Sequence, residues 1–200
     1  MEKMLQYILP IYFVLYFGIA FVLKSVIIAR RIGKNPIVLP KDDSAYGLVG
    51  FYFKIVLILI FVYVLAFGLF PSSHIYFMVI EPLKIPTITH VGLALLLISM
   101  IWTIIAQGHM KNSWRVGIDA ESQTELITTG FFSISRNPIF LGMIISLLGL
   151  FLSTPNAITA IFLILSYVLI QVQIRLEEEY LTKIHGDAYL SYKRRVRRLL

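Results

Sequence analysis

The sequence contains no cysteine, so disulfides and thiolate metal sites are excluded. Charge is scarce as well: 14% of the 200 residues are Asp, Glu, Lys or Arg, against about 25% in soluble domains. No Gly-x-Gly-x-x-Gly fingerprint of a soluble dinucleotide-type domain is present, and neither is an internal repeat or a low-complexity tract. Apolar residues fill the gap. They make up 58% of the chain, with mean hydropathy +0.82. This is the composition of an all-α integral membrane protein. Its formal charge of +7 then reflects topology rather than nucleic-acid binding, and no nucleic-acid partner is expected.

Three apolar runs stand out: Leu5–Ala29, Leu48–Phe70 and Ile88–Gln107. Each is near or above the ~20 residues that a helix needs to cross about 30 Å of hydrocarbon. Met1–Pro10 has only Lys3 as a basic residue and no small-residue cleavage pattern, so it reads as the start of the first span rather than a cleaved signal. A last apolar region, Pro138–Val172, is interrupted by Ser153-Thr154-Pro155-Asn156. This turn chemistry predicts two helical pieces of about 15 and 17 residues, roughly 22–26 Å each. They read as a helical hairpin packed on the other helices, with its polar turn near the far interface. About five transmembrane helices result. Residues 1–107 form three membrane helices and 108–200 a second part, within a single membrane domain 1–200.

Orientation follows from the basic residues. The segment after the first run carries Arg30, Arg31, Lys34 and Lys41, and that after the third carries Lys111, Arg115 and Arg136. The tail adds Arg175, Lys183, Lys193, Arg194, Arg195, Arg197 and Arg198. The other side offers only Lys3 and Lys84, a bias of 14 to 2. It predicts an outside N-terminus and a cytosolic C-terminus. Lys24 and Lys54 sit where they can snorkel to the cytosolic interface. The membrane would be the plasma membrane in a prokaryote and the endoplasmic reticulum in a eukaryote.

Candidate chemistry concentrates on the cytosolic side. The external stretch Pro71–Thr87 offers His74 and Glu81 without a cluster, and His90 reads as an interfacial residue. The loop Gly108–Asn137 is about 30 residues long, unusual in a compact protein. It mixes Trp114, Phe131 and Phe132 with charges, and is too aromatic for a disordered linker. It is expected to fold over the cytosolic mouth of the bundle. Asn137 suits an N-cap and Pro138 the first helical position. Uncapped N–H groups at such a start make an anion site, although a well-capped helix start is the simpler reading. After the last apolar run come Glu177, Glu178 and Glu179. Arg175, three and four residues before the last two, is expected on their helix face. These carboxylates read equally well as a solvated helix extension, and the basic end as an anchor to anionic headgroups. A hairpin leaving at Pro138 and returning near Val172 would make Arg136 and the carboxylates neighbours, an arrangement that fits a zwitterionic ligand.

The stretch Leu126-Ile-Thr-Thr-Gly-Phe-Phe-Ser-Ile-Ser-Arg-Asn-Pro-Ile-Phe-Leu-Gly142, then Glu177-Glu178, Leu181, Gly186, Tyr189, Tyr192 and a basic end, resembles the isoprenylcysteine carboxyl methyltransferase family. The likeness covers Leu126 to about Val196, with Ser113–Asp119 also family-like. The wider group includes phospholipid N-methyltransferases. The resemblance implies S-adenosylmethionine as methyl donor, bound on the cytosolic side without a Rossmann domain. It implies cofactor binding by Glu125, Leu126, Ile127, Phe132, Asn137, Pro138, Ile139, Phe140 and Glu177. It assigns catalytic roles to Arg175 and Glu178. Arg175, or Arg115, would face an acceptor carboxylate, and no metal is implied. Asn137 stands where eukaryotic members have His, which argues against a required imidazole base.

A lipophilic acceptor in the membrane is implied, first the carboxylate of a prenylated cysteine. Such a carboxylate is ionised at pH 7 and needs placement rather than a base. A phospholipid or other amine acceptor is the alternative. There Glu178 would take a proton, since amines are largely protonated at pH 7. A non-enzymatic membrane component is the third reading, with Arg136 and the glutamates as mere interfacial charges.

Overall fold

The computed structural model describes residues 2–38, 43–70, 74, 76–117 and 125–200. Of the stretches discussed above, Lys41, Pro71 and residues 118–124 lie outside them. The chain is an all-α integral membrane protein. The first run is one helix, α1 (Glu2–Ile32), with a π turn at Gly18–Leu23. Next come α2 (Ala45–Leu69), α3 (Pro86–Met110), α4 (Pro138–Ser153), α5 (Ala157–His185) and α6 (Asp187–Arg195). A two-residue strand β1 (Ile37–Val38) pairs in parallel with β2 (Val116–Gly117).

Four stretches, α1, α2, α3 with the turn that follows it, and α5, are long and apolar enough to cross a membrane; α4, with 16 residues, is a shorter apolar helix. The second arm of the hairpin outruns its apolar stretch, as the helix-extension reading of the glutamates expects. It does not stop near Val172 but continues to His185, because Gln173–His185 contains neither Gly nor Pro and is rich in strong helix formers. Gly186, at φ +52, then allows the turn into α6.

The hairpin turn is a built element. The Asn156 side chain accepts from the Thr159 N–H while the Thr159 hydroxyl accepts from the Asn156 N–H, a reciprocal cap. Asn156 Nδ2 also donates to the Tyr63 hydroxyl of α2 at 2.8 Å. Met78–Ile80 covers the turn, with Ile80 N–H donating to Pro155 O and Ala157 N–H to Met78 O. The turn is therefore buried under protein.

The most extensive helix pair is α3 with α4. Gly92 meets Gly149 and Ser153 at one end and Thr103 meets Gly142 at the other, so the pair is antiparallel. Lipid supplies no hydrophobic drive between helices, so close approach of small residues does the work. A Cβ at Gly142 would collide with Thr103 Oγ1. Gly142→Ala is expected to cost about 1–3 kcal/mol, read as a lower unfolding midpoint in detergent. Hydroxyls fasten α1 to this pair: Tyr12 OH bonds Ser99 Oγ and Ser146 Oγ, each at 3.0 Å, and Tyr16 OH bonds Thr103 Oγ1 at 3.0 Å. Gln107 Nε2 donates to Ala20 O within the π turn.

Candidate functional site

The residues that open α4 are held from three directions. Phe131 stacks on Trp102 of α3 with ring centroids 4.2 Å apart, and Trp102 Nε1 donates to Pro138 O at 2.8 Å. Phe132 is buried, and its carbonyl accepts from the Tyr192 hydroxyl of α6 at 2.6 Å. Arg136 N–H donates to Arg197 O, which threads the tail alongside Ser135. The start of α4 is thus fastened to α3, α6 and the last residues of the chain.

At the centre lies Glu178, only 2% exposed. Its Oε1 accepts from Arg136 Nε and Nη2 at 3.0 and 2.9 Å and from Asn137 Nδ2 at 3.3 Å. Its Oε2 accepts from Arg198 Nε and Nη2 at 3.2 and 2.9 Å, with Lys193 Nζ 3.9 Å away. Arg136 Nη1 also donates to the carbonyls of Lys193 and Val196. A buried carboxylate is tolerable only when charge and hydrogen-bond capacity are both met, and here they are. The bond to Glu178 raises the Arg198 guanidinium above its ordinary value.

This hub corrects two expectations, for Asn137 and Glu178. Asn137 stands at the N-cap position but does not cap with its side chain, which turns to Glu178 and Arg198 O instead. Glu178, expected as a proton acceptor, has both oxygens engaged by guanidinium groups. Arg175 lines one pocket with Glu178 and Glu179, as its helix spacing predicts, but its guanidinium donates to Gln171 O and Oε1 at 2.7 and 2.9 Å rather than to either carboxylate. The basic tail is more than an anchor, since Arg198 completes the hub.

Next to the hub is a cleft. Its walls come from Met110 at the end of α3, from Ser113, Arg115 and Gly117 after it, from Glu125, Leu126, Ile127 and Phe132, from Arg136 and Asn137, from Glu177, Tyr180 and Leu181 on α5, and from Tyr189 and Tyr192 on α6. Glu177, Tyr180 and Leu181 share one helix face, at i, i+3 and i+4. Six residues singled out in the sequence, Glu125, Leu126, Ile127, Phe132, Asn137 and Glu177, line this cleft. Pro138, Ile139 and Phe140 do not; they form the first turn of α4, and Phe140 packs on the core. Arg175 and Glu178 belong to a separate pocket on the outer side of α5.

Glu177 and Glu178 differ sharply. Among the described residues no side chain hydrogen-bonds Glu177, although it is half-buried and lines the cleft. Burial pushes the Tyr192 phenol up to about 12 and raises that of Tyr189. Both are therefore neutral hydroxyls at physiological pH. Tyr189, Tyr192 and Arg198 carry more of the site than the sequence reading gave them. Their signal was the helical spacing of the tyrosines and a surplus of arginine beside three carboxylates.

The structure is thus a multi-pass helical membrane protein with a cleft walled by aromatics, two carboxylates and two arginines. Residues 87–188, just over half of the chain, match the phospholipid methyltransferase family. The chain belongs to that family, whose members are membrane methyltransferases that generally use S-adenosylmethionine. The match runs from α3 into α6 and takes in Glu178 and all of the cleft's walls but Tyr189 and Tyr192, which follow it with Arg198. No curated protein and no solved structure matches the chain.

Proposed function

We propose that the protein is an S-adenosylmethionine-dependent methyltransferase of a lipophilic acceptor, with the cleft beside Glu177 as its methyl-donor site on the cytosolic side. One observation carries this reading: a half-buried carboxylate that no side chain among the described residues hydrogen-bonds faces a cleft built mostly from the family-matched region. A buried polar group without a partner is costly, and a ligand offering hydroxyl or ammonium donors removes that cost. The residues fit the cofactor in this respect. Glu177 would hold it by hydrogen bonds, and Leu126, Ile127 and Phe132 would cover its apolar parts. When bound, it supplies a methyl group already activated on a sulfonium. The cleft encloses about 90 Å³. This is below the ~300–1,000 Å³ of small-molecule sites, so binding is expected to widen it.

The chain's own work is then placement and water exclusion. Groups held about 3–3.5 Å apart in a dry site gain roughly 7–11 kcal/mol over free encounter. For the carboxylate of a prenylated cysteine no base is needed. Arg115, which lines the cleft, would pair with that carboxylate. Asn137 in place of an imidazole and the fully engaged Glu178 both favour this reading. The family match favours a phospholipid amine instead. There Glu177, rather than Glu178, would take the proton. A transfer assay in proteoliposomes with labelled methyl donor separates the two. Label in farnesylated cysteine supports the first, label in phosphatidylethanolamine the second, and label in neither contradicts the proposal.

A further inference from the structure

The outer side of α5 carries a second site, independent of the donor cleft. The exposed face of this helix runs through Ile161, Ile164, Leu165, Val168 and Val172. These positions repeat at three- and four-residue intervals, so they form one continuous apolar stripe. The same face continues to Arg175, one turn further, and there the stripe ends in a pocket of about 420 Å³. Four cations line it: Arg175 and Lys183 from α5, Lys193 from α6, and Arg198 from the tail. Two carboxylates oppose them, Glu178 and Glu179, which leaves a surplus of two positive charges.

The surplus is larger in effect than in count. Glu178 is turned inward and already satisfied by Arg136, Asn137 and Arg198. Glu179 is exposed and paired only loosely, with Lys183 at 3.8 Å. Among the described residues Arg175 donates only to Gln171 of its own helix, and Lys193 stays 3.9 Å from Glu178. Among the described residues Arg175 meets no carboxylate and Lys193 has only this loose pair with Glu178, and both line the same pocket. That space begins where the apolar stripe stops, the order in which a lipid presents its acyl chain and its headgroup.

We propose that this pocket holds the phosphate of an anionic membrane phospholipid, with an acyl chain laid along the Ile161–Val172 stripe. Arg175 and Lys193 bind the phosphate, Arg198 and Lys183 flank it, and the apolar stripe makes a lipid, rather than free phosphate, the occupant. The site shares no cation with the donor cleft, so the proposal stands or falls apart from the methyltransferase reading.

The test is native mass spectrometry of the full chain in detergent, without cofactor, titrated with dioleoyl phosphatidylglycerol or dioleoyl phosphatidylcholine. The first phosphatidylglycerol is expected to bind roughly tenfold or more tightly than phosphatidylcholine. Arg175→Gln with Lys193→Gln is expected to abolish that preference. Arg194→Gln with Arg195→Gln, an equal charge loss on exposed cations outside the pocket, is expected to keep it. If the first pair unfolds in detergent, Lys183→Glu at an exposed position carries the same test. Equal loss in both pairs would reduce the site to diffuse attraction by the tail and overturn the proposal. So would the absence of a preference, or inorganic phosphate binding as tightly as the lipid.

Discussion

Glu178→Ala is expected to destabilise the protein by about 3–5 kcal/mol, because it leaves buried guanidinium charge without its partner. At about 2–4 °C per kcal/mol for a chain of this size, the unfolding midpoint in detergent falls by roughly 10 °C. The Arg136 side chain is only 7% exposed, whereas that of Arg198 is 34% exposed and can turn to water. The loss should therefore couple mainly to Arg136. Glu178→Leu combined with Arg136→Met is expected to recover most of the stability, since paired buried charges are often replaceable by apolar groups. A Glu178→Ala midpoint within 1–2 °C of the parent would show that the hub does not hold the tail to α4.

Glu177→Ala is expected to do the opposite. Glu177 has no side-chain hydrogen bond among the described residues, so its removal should leave the unfolding midpoint nearly unchanged. Its loss should instead weaken binding of S-adenosylhomocysteine by about 10- to 100-fold, the worth of a charge-assisted hydrogen bond in a half-buried site. The two neighbours thus separate: one carboxylate holds the structure, the other meets the ligand. Calorimetry on Glu177→Ala with affinity unchanged would remove Glu177 from the donor site.

The membrane spans were legible because hydropathy reports directly on the bilayer as solvent. The hairpin turn was legible from Ser153-Thr154-Pro155-Asn156, because Pro155 cannot continue a helix and Asn156 can cap the start of the next. The meeting of Arg136 with the glutamates followed from the hairpin alone. Which glutamate it meets did not. Adjacent helical residues point about 100° apart, and the choice between Glu177 and Glu178 depends on how α5 is rotated against α4. The same rotation decides that Arg175 faces away from the cleft. Arg198 was illegible for another reason. A basic tail of Lys193, Arg194, Arg195, Arg197 and Arg198 looks uniform in sequence, and only the turn at Gly186 selects the one that returns to Glu178. Asn137 was misjudged as a cap because a cap needs only local chemistry, whereas a buried carboxylate from another helix competes for the same amide.

The central claim is that the cleft between the start of α4 and the face of α5 bearing Glu177 binds the methyl donor. It is tested most directly by isothermal titration of the purified full chain with S-adenosylhomocysteine. The account predicts saturable binding at one site per chain. The absence of saturable binding up to millimolar ligand would contradict it.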